Sequence, residues 1–230
     1  MRVLVESSSF DLPTSYISTI ADQLASEAQA MGHEVRVLRD YEATPDNLAY
    51  LIQSFQPELC FFSGHGGPGL FTSMNLTPLL VACTNDGILA GSGTFLISCL
   101  TGQELVPSIV KKGGLAAAGF TSEYTWVVSP PYEPSTDPYW APFRRMLIES
   151  SRELLRGGGF GAWYSTLKRV GIEEASRWGQ STDPQAPDIV YALRHDYGAA
   201  TYMGAGGGAS AGGESVGLLA LIPLAALLLG

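Results

Sequence analysis

A three-layer α/β/α sandwich around a mainly parallel sheet is the fold class this sequence predicts, on three observations. Short apolar runs alternate with helical patterns from residue 2 to about 128, the rhythm of right-handed strand–helix–strand units stacked on both faces of a sheet. The helical stretches carry start and stop signals, Thr or Pro at their entrances and Gly at their exits. With 230 residues and 46% hydrophobic content, the chain can bury a substantial core.

The elements follow in order. "RVLV" (2–5) is a first, β-branched strand, and a helix spans about Thr14 to Met31, ending at Gly32. "HEVRVL" (33–38) is a second strand. "TPDNLAYLIQSF" (44–55) has a Thr cap and a Pro at the first helical position. "PELCFFS" (57–63) is the third strand, "GSGTFLISC" (91–99) the fourth, "TGQELVPSIVKKGG" (101–114) a helix and "LAAAGF" (115–120) the fifth strand. A Pro-rich loop (129–142) precedes two helices, about 142–156 and 161–177, and a last strand is placed near Ala200 to Met203. One domain is thus expected over residues 1–203.

Composition narrows the function. Twenty-two acidic residues against 13 basic ones give a net charge of −9, and no Lys/Arg cluster tracks a phosphate backbone, which argues against nucleic acid as a partner. Cys60, Cys83 and Cys99 share no CxxC spacing, and an odd count in a domain this large suggests a reducing, cytoplasmic setting. "MRVLVESSSF" turns polar too early for a secretory signal. Beyond the domain, residues 204–215 read as a flexible Gly/Ser/Ala linker and 216–230 as an apolar tail without charge. Fifteen helical residues reach about 22 Å, short of the ~30 Å hydrocarbon layer. A C-terminal membrane anchor is expected there, with self-assembly through the same tail as the alternative.

The chemistry concentrates at two strand ends. "FFSGHGGPGL" (61–70) delivers His65 just past the third strand, and "FLISC" delivers Cys99 just past the fourth. In open parallel sheets, sites form where loops leave the carboxyl ends of strands. A thiol is mostly protonated at neutral pH, and an adjacent imidazole that takes its proton makes a nucleophilic thiolate. Gly66 and Cys99 offer backbone N–H groups to a developing oxyanion, and a helix starting near Thr101 would place its positive end beside the sulfur. Taken singly, a His at a strand end is an ordinary polar residue and a Cys after "FLIS" a packing residue. Their joint placement favours chemistry.

"CFFSGHGG" (60–67), "FLISCLTG" (95–102) and "GGLAAAGF" (113–120) together resemble the caspase-like (clan CD) cysteine peptidases, with the gingipain and CHAT-type domains nearest in motif. The resemblance covers roughly residues 2–128. It implies a caspase- or flavodoxin-like sheet, with His65 as general base and acid, Cys99 as nucleophile and Gly66 as oxyanion donor. It implies a peptide or protein substrate and hydrolysis through an acyl-enzyme.

Specificity is read from four acids expected on the same edge: Glu6 and Asp11 after the first strand, Asp86, and Glu123. They suggest a basic P1 residue, the bland alternative for each being a solvated carboxylate. "SEYTWVV" (122–128) is a candidate edge for an added peptide strand. His33 reads as surface, Cys60 and Cys83 as packing, and His195 followed by Asp196 as an unsupported imitation of a catalytic pair. Metal-ligand spacing is absent, "GHGGPG" is misplaced for a dinucleotide fingerprint, and no cofactor is expected. The rival function is a catalytically silent scaffold of the same fold.

Overall fold

The structure, a computed structural model, describes residues 1–129 and 133–204. The apolar tail expected over 216–230 lies outside this range, as does the linker expected over 204–215 apart from Gly204, which ends the last strand. Among the described residues, no helix is long and apolar enough to cross a membrane.

Chain order runs β1 (Arg2–Ser7), α1 (Leu12–Ala30), β2 (Glu34–Arg39), α2 (Pro45–Phe55), β3 (Leu59–Ser63), β4 (His65–Gly67), β5 (Leu70–Thr72) and β6 (Pro78–Val81). It continues with β7 (Gly93–Ile97), α3 (Leu105–Lys111), β8 (Ala116–Phe120), α4 (Ala141–Leu155), α5 (Gly159–Trp178), α6 (Ala186–Ala199) and β9 (Ala200–Gly204). The main sheet has the order β2-β1-β3-β7-β8-β9, parallel throughout except for the antiparallel β9. This is the sandwich the alternation predicts.

Strand alternation sorts the core into two layers. Val3, Val5, Phe61, Phe95 and Ile97 face a layer rich in aromatic residues, with Trp140, Phe143 and Trp163. Leu4, Cys60, Phe62 and Leu96 face a mostly aliphatic layer containing Leu48, Leu105 and Ile109. Both faces of the central strands are therefore dry, and Cys60 is a packing residue whose thiol burial pushes up to about 12. The parallel register pairs Ser63 with Ile97, so β3 and β7 end level and their next residues leave the sheet side by side.

Two parts of the fold differ from the sequence expectation. Between the third and fourth expected strands, where the sequence predicts no element, β4, β5 and β6 form a small antiparallel sheet. Strands of three or four residues, one of them His-Gly-Gly, are too short to show alternation. Residues 186–199 form α6, with Pro187 in its first turn and Ile189, Ala192, Leu193, Asp196 and Ala199 buried. Its helical spacing was present, but Gly198 and two alanines beside a strand-like "ATYM" obscured it.

Candidate active site

Asp11 begins the site. Its side chain accepts from the Thr14 N–H at 2.9 Å, and Thr14 Oγ1 accepts in return from the Asp11 N–H at 3.0 Å, a reciprocal cap on α1. The second carboxylate oxygen lies 2.8 Å from His65 Nε2. One residue thus starts a helix and orients the imidazole. Both side chains are about one third exposed, at 36% and 32%. Burial would raise the Asp11 carboxyl, but the hydroxyl and N–H of Thr14 and the His65 ring together hold it below its ordinary value. A charged Asp11 accepts, so Nε2 donates and Nδ1 is left with its lone pair. Phe10 lies against the ring at 5.8 Å between centroids.

The glycine after His65 answers to close approach. A Cβ built on Gly66 would sit 2.6 Å from the Cys99 carbonyl oxygen and 3.0 Å from Ser98 Cβ, so any side chain would push the two strand ends apart. The two motifs are packed backbone against backbone. Cys99 lies in the bend after β7, half-buried, and its N–H has no acceptor in another described residue. The next residue, Leu100, takes φ 63, a left-handed conformation that costs a branched side chain roughly 1–3 kcal/mol and is retained where the surroundings enforce it. Its N–H is fixed on the Ser122 carbonyl at 3.0 Å.

The sulfur itself is engaged on the side away from β3. The Tyr124 N–H donates to Cys99 Sγ at 3.4 Å, and the thiol faces the Tyr124 carbonyl at 4.0 Å. Burial pushes the Cys99 thiol up; Tyr124 N–H opposes this, while Glu123 and Asp196 push it further up. The resting group is a thiol.

The sequence-predicted residues divide. Asp11 is engaged by His65, and Glu123 is exposed on the carboxyl edge near Cys99. Glu6, expected at a substrate edge, is instead fully buried. It accepts from Ser8 Oγ at 2.5 Å and the Ser63 N–H at 3.3 Å, and burial raises its carboxyl to about 8. The strand runs two residues further than "RVLV" and carries Glu6 into the sheet. Asp86 is also corrected: it is fully buried and paired with Lys112 Nζ at 3.1 Å. Lys112 caps the C-terminus of α3, so this ion pair sits at the opposite, amino edge of the sheet. The helix expected near Thr101 begins at Leu105, and the N–H groups of Glu104 and Leu105 go to the Pro68 carbonyl. They do not serve the sulfur.

Tyr124, His195 and Asp196 are neighbours that sequence reasoning missed or set aside. His195 does not act on Asp196; its Nε2 meets Ser122 Oγ at 3.0 Å and the Glu123 carbonyl at 2.9 Å. Asp196, fully buried, accepts from the Thr125 N–H at 2.9 Å. Among the described residues, no group of three or more His, Cys, Asp or Glu side chains could hold a metal ion.

No protein-family model and no curated protein matches the chain. Solved structures do. The Arg-specific cysteine proteinase gingipain R aligns over 88% of this chain and 46% of its own, at 13% identity and a TM-score of 0.59. A complex of the pro- and mature domains of RgpB from Porphyromonas gingivalis aligns over 88% and 47%, at 15% identity and a TM-score of 0.56. This chain spans about half the length of either structure. The likeness establishes the fold as a caspase-like α/β sandwich, as the strand-end motifs implied.

Proposed function

We propose that the chain is a cysteine endopeptidase in which Cys99 and His65 act as a dyad. The observation that carries this reading is the packing of Gly66 against the Cys99 carbonyl, which brings a carboxylate-oriented imidazole and a thiol to adjacent strand ends. The gingipain-like fold supports it. The Cys99 proton passes to His65 as sulfur attacks the scissile carbonyl, and the N–H groups of Gly66 and Cys99 receive the oxyanion. His65 returns the proton to the departing amine, leaving an acyl-enzyme. Water then attacks the thioester with His65 as base, releasing the acid and restoring the thiol.

Of the four acids first considered for P1 recognition, Glu123 is the one left exposed beside the thiol. A basic P1 preference rests on it. Residues Trp126 to Val128 have no helix or strand of their own and supply the edge on which a substrate strand adds. Wild-type protein should cleave members of a broad peptide library, and Cys99→Ala should not. Glu123→Gln should lower kcat/KM for Arg or Lys at P1 by roughly tenfold while sparing neutral P1 residues.

A second reading, a silent scaffold of the same fold, draws on the elevated Cys99 thiol and on the sulfur's bonds to Tyr124. It would be favoured by a wild-type protein that neither cleaves the library nor reacts with a thiol-directed peptide inhibitor.

A further inference from the structure

The candidate nucleophile is held from a helix that carries none of the motifs. Beyond β8, Thr121 donates through its N–H and Oγ1 to the Ala199 carbonyl of α6 at 2.8 and 3.0 Å. His195 spans Ser122 Oγ and the Glu123 carbonyl, and Asp196 Oδ1 takes both the N–H and the hydroxyl of Thr125, at 2.9 and 3.2 Å. Between these anchors stands Tyr124, with its N–H on the Cys99 sulfur. The segment from Ser122 to Ser129 has no helix or strand of its own, so its shape is set by what it is tied to.

We infer that His195 and Asp196 are positioning residues for the Cys99 thiol, holding the Tyr124 N–H on the sulfur so that a donor is in place when the proton leaves. This rests on Cys99 being the nucleophile. A carbonyl can only accept, so His195 Nε2 carries the proton. The groups around the sulfur show why a fixed donor matters. Glu123 and Asp196 disfavour a thiolate from one side; His65 with Asp11 at the β3 end is the acceptor for its proton. Preorganised N–H donors are worth most in such a partly dehydrated setting.

The test is alkylation of Cys99 by iodoacetamide in the full chain as a function of pH, read by mass spectrometry of the Cys99 peptide so that exposed Cys83 does not interfere. His195→Phe should shift the alkylation midpoint upward and slow labelling at neutral pH by roughly tenfold, the lower end of the scale of one hydrogen bond to a charged group. His195→Gln keeps an N–H for the Glu123 carbonyl and should stay within about twofold of wild type. Asp196→Asn keeps the acceptor for Thr125 and removes an ionisable group that burial already holds toward its neutral form, so its midpoint should not rise. If His195→Phe does not fold, Ser122→Ala and Thr125→Val each remove one hydrogen bond of the clamp, leaving His195 on the Glu123 carbonyl and Asp196 on the Thr125 N–H, and should each slow labelling about twofold. Wild-type labelling in His195→Phe, or equal slowing in His195→Gln at an unchanged thermal midpoint, overturns the inference. Peptide cleavage by the wild type is a separate readout: a shifted midpoint without cleavage keeps the positioning role and removes the peptidase reading.

Discussion

Asp11 and Asp196 flank the proposed dyad from opposite sides and live in opposite electrostatic states. Asp11 is about one third exposed, capped by Thr14 and held below the ordinary carboxylate range. Asp196 is fully buried; burial raises its carboxyl well above that range, against the hydrogen bonds from Thr125. The histidine side of the site is therefore charged and open to water, and the cysteine side is closed and disfavours charge. In the proposed dyad, an asymmetry of this kind would keep the thiol at rest and leave activation to the imidazole.

The largest expected effect breaks the open side. His65→Ala removes the proton acceptor and should lower kcat/KM by roughly 10³-fold or more, measured on any peptide the wild type cleaves. Asp11→Asn is gentler, because Asn still caps α1 while losing the charge behind His65. A fall of roughly ten- to a hundredfold in kcat/KM is expected with a nearly unchanged melting temperature. Asp11→Ala should add a loss of about 1 kcal/mol in stability from the missing cap. Equal activity in Asp11→Asn and wild type would mean that the carboxylate serves only the helix.

Glu6 sharpens the comparison from beneath the sheet edge. In the unfolded chain it loses its proton near 4.5, whereas in the fold it holds it to about 8. Between those values the unfolded state binds fewer protons, so this residue's contribution to stability is complete below about 4.5 and is lost as pH rises through 8. Glu6→Gln abolishes that loss and should gain on wild type from acid to mildly alkaline pH, by up to ~3 kcal/mol in denaturant unfolding. Parallel pH–stability curves for the two proteins would show that Glu6 is solvated.

The main sheet was legible because its strands are continuous apolar runs separated by capped helices. The dyad residues stood out for a related reason: each interrupts such a run at its carboxyl end. Asp11 drew attention as a carboxylate after the first strand, but its partner lies 54 positions away, and no local pattern distinguishes a P1 acid from one that orients a histidine. Asp86 and Glu6 were misplaced because position along a loop does not say which edge it returns to, or where a strand stops. Tyr124 was out of reach in principle, since its contribution to the sulfur is a backbone N–H that any residue except proline would supply. The α6 clamp follows from that contact and is visible only in three dimensions.

The most direct measurement is covalent labelling by a thiol-directed peptide inhibitor, run on wild type and on Cys99→Ala alongside the cleavage of a peptide library. A working dyad predicts stoichiometric labelling at Cys99, cleavage that disappears with that label, and neither in Cys99→Ala, whose fold and melting temperature remain those of wild type. Cleavage that survives in Cys99→Ala, or a folded wild type that is neither labelled nor active, would contradict it.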